Sequence, residues 1–239
     1  MAKDKETKDK KAETPEKKGG CIKRLALMLL FLVIVYLGVH IYFIWQPAGK
    51  TDDFSKALQS AKIFPAIQPY SFDHIAGRTE IIDGKGIPGP LLKERVSNAI
   101  TNKFPITFRE EEINAWLSKR LDVKQGGALA PFVKDAHAWV DFKQDEMEII
   151  IERRLSSGDT HVTSMFLKFE RSKQGFSIQP YSSHIGQVRA PGGFARLISP
   201  AFDNLATELT EELKLYEEIY DISVKDGTIT LDPRRPEER

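Results

Sequence analysis

Residues Asp135–Arg171 read DAHAWVDFK-QD-EMEIIIERRL-SSGD-THVTSMFLKFER, three runs rich in β-branched and aromatic residues separated by short polar links. The spacing predicts three strands, Asp135–Lys143, Glu146–Leu155 and Thr160–Arg171, paired as an antiparallel meander. Side chains alternate along a strand, so Ala136, Ala138, Val140 and Phe142 share one face. Met147, Ile149, Ile151 and Leu155 join it from the second run, and Val162, Ser164 and Phe166 from the third. The opposite face is mixed, with His137, Trp139, Asp141, Glu148, Ile150, Glu152, Arg154, His161, Thr163 and Met165. A slip of one residue in any pairing would exchange the two sets for that strand.

The chain then turns through SKQGF into a fourth predicted strand, Phe176 to about Arg189. Gly186 within it reads as a bulge or a close backbone approach. Ala190-Pro191-Gly192-Gly193 breaks the strand. From Phe194, the residues Leu197, Ile198, Ala201, Phe202, Leu205, Leu209, Leu213, Tyr216 and Tyr220 recur in steps of three and four, one seam for about seven helical turns. Asp203, Glu208, Glu211, Glu217 and Glu218 fall on its wet face, and Ser199-Pro200 is where it bends or restarts. DISVKDGTITLD, 221–232, is a hairpin turning at Asp226-Gly227.

Upstream, Asp52–Lys62 predicts a short helix with Phe54, Ala57, Leu58 and Ala61 on one face, ended by Pro65 and Pro69. A poorly patterned stretch runs to DGKGIPGP, after which Pro90 starts a helix with Leu92, Val96, Ala99 and Ile100 on one stripe. ITFREEEINAWLSKRL, 106–121, predicts another helix, with Thr107 and Glu110 as a capping box and Glu110, Glu111 and Glu112 at the positive end of its dipole.

Leu25–Trp45, LALMLLFLVIVYLGVHIYFIW, contains no Asp, Glu, Lys or Arg. As a helix it is about 31 Å long, the hydrocarbon thickness of a bilayer. Its length and the absence of a small-x-small site in WQPAGK favour an uncleaved signal anchor over a cleaved signal peptide. The preceding residues carry nine Lys/Arg against five Asp/Glu, with Lys17, Lys18, Lys23 and Arg24 crowding the membrane edge. That bias keeps the N-terminus cytoplasmic and exports the chain beyond Gln46, to the periplasm or the cell exterior. Cys21 is the single cysteine, so the exported part has no disulfide and no thiolate metal site. With 26 basic and 29 acidic residues, that part is not a general nucleic-acid binder.

No catalytic constellation emerges. Ser183 and His184 are adjacent, so on a strand they face opposite ways and cannot act as nucleophile and base. His137 and His161 share the mixed face two strands apart but are offset in register, which argues against a metal pair. Arg189 and Arg196, flanking the glycines, offer an anion site at the helix start, but such arginines are more often a solvated rim. There is no G-x-S-x-G, H-E-x-x-H, phosphate loop or C-x-x-C.

The order of elements resembles the YpmS-type membrane-anchored extracytoplasmic bacterial proteins over residues 105–232. It shares a t-x-x-E-x-N-x-x-L helix, Thr107–Leu117 with two extra residues, an I-G-x-v-x-x-P bend, Ile185–Pro191, and a v-x-d-G-x-i-x-l hairpin, Val224–Leu231. The resemblance extends loosely to tubular lipid-binding domains, and it implies a curved antiparallel sheet packed on a long helix around an apolar groove. It implies no catalytic residues.

The expectation is therefore an α+β protein: a basic disordered tail (1–24), a transmembrane signal anchor (25–45), a membrane-proximal helical and irregular region (46–104), a sheet-plus-helix domain (105–232) and a disordered C-terminal tail (233–239). The leading function is a non-enzymatic binding module holding a lipid or other apolar ligand against Ala138, Ile149, Ile151, Phe166 and Leu205, with no cofactor and no metal. The alternatives are a helix seam that simply fills the sheet face as a core, and an envelope scaffold that anchors a partner protein.

Overall fold

The computed structural model describes residues 20–49, 53–61, 63–120, 130–172, 175–235 and 237. Of the predicted tails, residues 1–19, 236, 238 and 239 lie outside them, as does Leu121, whereas residues 20–24, expected to be disordered, begin the first helix. Contacts divide the chain after Val39, and His40–Arg239 forms one unit. Helix α1 (Gly20–Trp45) carries the apolar run. Its segment Lys23–Trp45 is, among the described residues, the one helix long and apolar enough to cross a membrane by length and composition.

In the second unit, α2 (Asp53–Ala61) buries Ser55 and exposes Phe54, the reverse of the predicted apolar face. The Ser55 hydroxyl reaches Gln187 Oε1 at 3.5 Å while the Phe54 ring stacks on Phe43. A short α3 (Arg78–Ile82) interrupts the unpatterned stretch. Helix α4 (Leu92–Asn102) begins just after Pro90, buries Leu92, Val96 and Ala99 at helical spacing, and stops at Lys103, whose backbone is left-handed.

Residues Ile106–Arg109 form strand β1, and α5 (Glu110–Arg120) starts directly from it. This corrects the predicted capping box. Thr107 lies in the strand and its hydroxyl meets that of Thr230, while the Arg109 N–H is taken by Glu112 Oε2 at 2.9 Å.

The meander is realised as β2 (Val133–Lys143), β3 (Glu146–Leu155), β4 (Thr160–Ser172), β5 (Gly175–Ile185) and β6 (Val188–Pro191), antiparallel and in sequence order across one five-stranded sheet. The predicted fourth strand is thus two. Gly186 and Gln187 make a tight turn, with Gly186 at φ +58°, where a Cβ would lie 2.2 Å from the Ile44 carbonyl oxygen. The close backbone approach expected at Gly186 is present, but as a hairpin turn. Pro180, which has no N–H to give, sits at the bulge where β5 slips past β4.

The predicted long helix is the main correction. It is broken into α6 (Ala195–Ile198), a 3-10 turn at Ser199–Phe202, α7 (Asp203–Glu208) and α8 (Thr210–Tyr216). Pro200 cannot donate to the preceding turn. The hydroxyls of Thr207 and Thr210 bond back to the carbonyls of Asp203, Ala206 and Thr207, competition that disturbs a helix where α7 gives way to α8. The seam survives in part: Ile198 and Leu205 are buried and all five predicted wet-face acids are exposed, but beyond the break Leu213 is exposed while Glu212 is buried.

Finally β7 (Asp221–Lys225) and β8 (Thr228–Asp232) form the predicted hairpin, with Gly227 at φ +69° in its turn. Strand β1 adds to β8, completing a three-stranded sheet in the order β1-β8-β7. The fold is α+β with antiparallel sheets. Its main core joins one face of the large sheet (Ala138, Val140, Phe142, Ile151) to the small sheet (Val224, Ile229, Leu231) and to Leu92, Val96, Leu117 and Leu205 from the helices. The other face is covered by the unpatterned segment, where Tyr70 and Ile75 pack on Trp139, Ile150 and Val162.

Candidate functional site

Among the described residues, concavities lie against both faces of the large sheet. On the core side, a cavity of about 330 Å³ lies between β2–β5, the small sheet, and helices α5, α7 and α8. Leu92, Trp116, Ala138, Ile149, Leu167 and Leu209 represent its walls, which are apolar apart from the buried carboxyl of Glu212. Small Ala138 opposite the broken helix explains the space: β2 offers no bulk there, and the distortion at Leu209 keeps the seam from closing on the sheet. Ile178 and Leu213, 45% and 48% exposed, mark where the cavity meets solvent.

Of the five residues singled out from the sequence, Ala138, Ile149 and Leu205 line this cavity. Ile151 is fully buried in the same core but not in the cavity wall. Phe166 is a correction: it lies on the opposite face. In the observed register Met165 stands across from Ile149, and Phe166 across from Glu148, so the whole of β4 is one residue out of phase with the predicted face. The same shift puts Leu167 rather than Phe166 in the cavity and separates His137 from His161, which occupy opposite faces. His161 instead meets the Ile44 carbonyl at 2.8 Å.

On the other face lies a polar pocket of about 300 Å³, lined by Tyr70, His74, Asp141, Lys143, Glu148, Phe166, Tyr181, His184 and Arg189 among others. Asp141 and Glu148 are direct cross-strand partners, both buried, two like charges where a sheet normally avoids them. The unpatterned segment brings their counter-groups. His74 Nε2 lies 3.2 Å from Glu148 Oε2 and 4.0 Å from Asp141 Oδ2, and the Tyr70 hydroxyl donates to Glu148 Oε1 at 2.9 Å. Lys143 Nζ sits 2.9 Å from Asp141 Oδ2, an ion pair without hydrogen-bond alignment. The hydrogen bond to Glu148 raises the His74 pKa above its usual value against the opposing effect of burial. Burial, then Glu148, pushes the Tyr70 phenol well up. Burial also pushes His184 down to about 4; its Nε2 faces the Gln68 carbonyl at 3.1 Å.

The serine and histidine of the 183–184 pair do point apart: Ser183 stands across from Met165, on the cavity side, and His184 across from Ser164, on the polar side. Arg189 lies over the Phe166 ring and reaches Ser182 Oγ, at the rim of the polar pocket; the Arg196 side chain lies outside the described residues. His74, Asp141 and Glu148 were not singled out from the sequence, although the Asp141–Glu148 pairing follows from the register of β2 and β3. His74 carries no such signal, because nothing in YSFDH, 70–74, tells which strand it will cover.

No family model matches the chain, and no curated protein matches it.

Proposed function

We propose that this chain is a single-pass, membrane-anchored extracytoplasmic binding protein that holds a lipid chain or another apolar ligand beside its membrane. The observation that carries the reading is the apolar cavity of about 330 Å³ behind Ala138, Ile149 and Leu205. Its volume lies at the small end of the range for ligand sites, and such a space in a close-packed interior needs an occupant or a reason. The resemblance to YpmS-type proteins points the same way. For the anchor, the support is the apolar helix Lys23–Trp45 with basic residues on its N-terminal side. The protein acts by binding, without catalysis.

Native mass spectrometry of the full chain, released from detergent in the spectrometer, tests the ligand. A stoichiometric adduct of lipid mass that survives loss of the micelle is expected, and a bare chain under the same conditions favours an envelope scaffold. For the anchor, Cys21 should react with impermeant thiol reagents only after the cell is opened; labelling in intact cells defeats the topology.

A further inference from the structure

We propose that His74, Asp141 and Glu148 form a site for one divalent transition-metal ion of the zinc class, on the sheet face opposite the apolar cavity and independent of it. Each residue offers one donor atom, and the three atoms lie within 4.8 Å of one another. Ligands about 2.0–2.2 Å from a shared ion stand roughly 3.0–3.6 Å apart, so the 3.2 Å from His74 Nε2 to Glu148 already fits and the 4.0 Å to Asp141 closes with a small side-chain rotation.

The surroundings fit an ion better than they fit the groups now present. Asp141 and Glu148 are buried and directly opposed across β2 and β3, so the site carries two negative charges that need compensation. His74 and Lys143 supply it, one from a loop and one from a side chain more than half exposed to solvent. A divalent cation replaces both compensations at once: the imidazole becomes a ligand through Nε2, and Lys143 swings out to water. The Tyr70 hydroxyl, donating to Glu148 Oε1, holds that carboxylate with Oε2 towards His74, the orienting role that groups behind metal ligands perform. One imidazole and two carboxylates suit zinc or manganese, and three protein ligands leave a coordination position for water or a ligand oxygen in the pocket of about 300 Å³.

The test is equilibrium binding of Zn²⁺ to the full chain in detergent, by isothermal titration, with Co²⁺ absorbance reporting coordination. The expected result is one equivalent of Zn²⁺ and a visible cobalt band. His74→Ala, first shown to be folded by circular dichroism, should weaken binding at least tenfold, while His137→Ala on the same sheet face leaves it unchanged. Lys143→Gln should tighten binding, because it removes the competing cation, an outcome that adventitious surface binding does not produce. Absence of a stoichiometric site, equal binding by His74→Ala and the unaltered chain, or binding that is not tightened in Lys143→Gln overturns the proposal.

Discussion

Asn114 gives Val140 both hydrogen bonds that a neighbouring strand would make. The Val140 N–H donates to Asn114 Oδ1 at 2.8 Å and Asn114 Nδ2 donates to the Val140 carbonyl at 3.0 Å. One helical turn earlier, Glu110 Oε2 accepts from the Phe142 N–H at 2.8 Å. Residues four apart on a helix rise about 6.0 Å, and residues two apart on a strand about 6.8 Å, so the two ladders run nearly in step. Helix α5 thereby closes the β2 edge of the large sheet at Val140–Phe142, which would otherwise be open to pairing with another chain.

Asn114→Ala should therefore cost about 2–4 kcal/mol, since it leaves a buried N–H and carbonyl without partners. Glu211→Ala should change stability by less than about 1 kcal/mol, although Glu211 pairs with Lys93 at 2.6 Å, because that pair is exposed. Urea unfolding of the two variants checks this, and equal effects would mean the edge is satisfied in some other way.

The two turn glycines separate conformational strain from crowding. Gly227→Ala meets no atom within 4 Å and pays only for its left-handed backbone, about 1–2 kcal/mol. Gly186→Ala carries the same backbone demand and drives a methyl group into the Ile44 and Phe43 carbonyls. It should be the more destabilising by at least about 2 kcal/mol. Similar melting temperatures for the two would remove the close approach as a determinant of the fold.

Acid should weaken the fold through His184. Its folded pKa of about 4 lies below the unfolded value near 6.5, so as pH falls the unfolded chain takes the proton first. The stability it supports is complete above about pH 6.5 and is lost between there and pH 4, up to about 3 kcal/mol. Burial is the main cause: a proton on Nδ1 would find no hydrogen-bond acceptor. Arg189 and His161 act in the same direction, Glu148 and the Gln68 carbonyl against it. Burial lowers His161 as well, so some acid sensitivity remains without His184. Comparing urea midpoints near pH 7 and pH 4.5, His184→Gln should lose less stability on acidification than the unaltered chain; an identical loss would place the sensitivity elsewhere.

The strands and the last hairpin were legible because their periodicity is carried by side chains that do bury. The pairing of β2 with β3 followed from a two-residue link that leaves little freedom, whereas β3 to β4 crosses a longer link, Ser156–Asp159, and there the face assignment slipped by one. Strand β1 was hidden inside a helix pattern: four residues are too few to show alternation, and their partner β8 lies over a hundred positions away. The helix seam was right in its faces as far as Leu209 and wrong in its continuity, since apolar spacing does not report the hydroxyls of Thr207 and Thr210; beyond the break Leu213 is exposed while Glu212 is buried and Leu215 packs on the core. For the polar pocket, the carboxylates were visible on β2 and β3. Tyr70 and His74 reach them only because Ala48, Ile67 and Gln68 tie the covering segment to the sheet, contacts between distant residues that leave no local pattern.

The proposed function requires the space behind Ala138 to be a binding site and not an unfilled core. A fatty acid carrying a photoactivatable diazirine, added to the full chain in lipid nanodiscs, tests it most directly when the labelled peptides are mapped by mass spectrometry. Label is expected on cavity residues such as Ile149, Leu167 and Leu213, and is lost in Ala138→Trp while that variant stays folded. Label confined to the helix Lys23–Trp45, together with destabilisation of Ala138→Trp by the roughly 1–3 kcal/mol of an overpacked core, would contradict it.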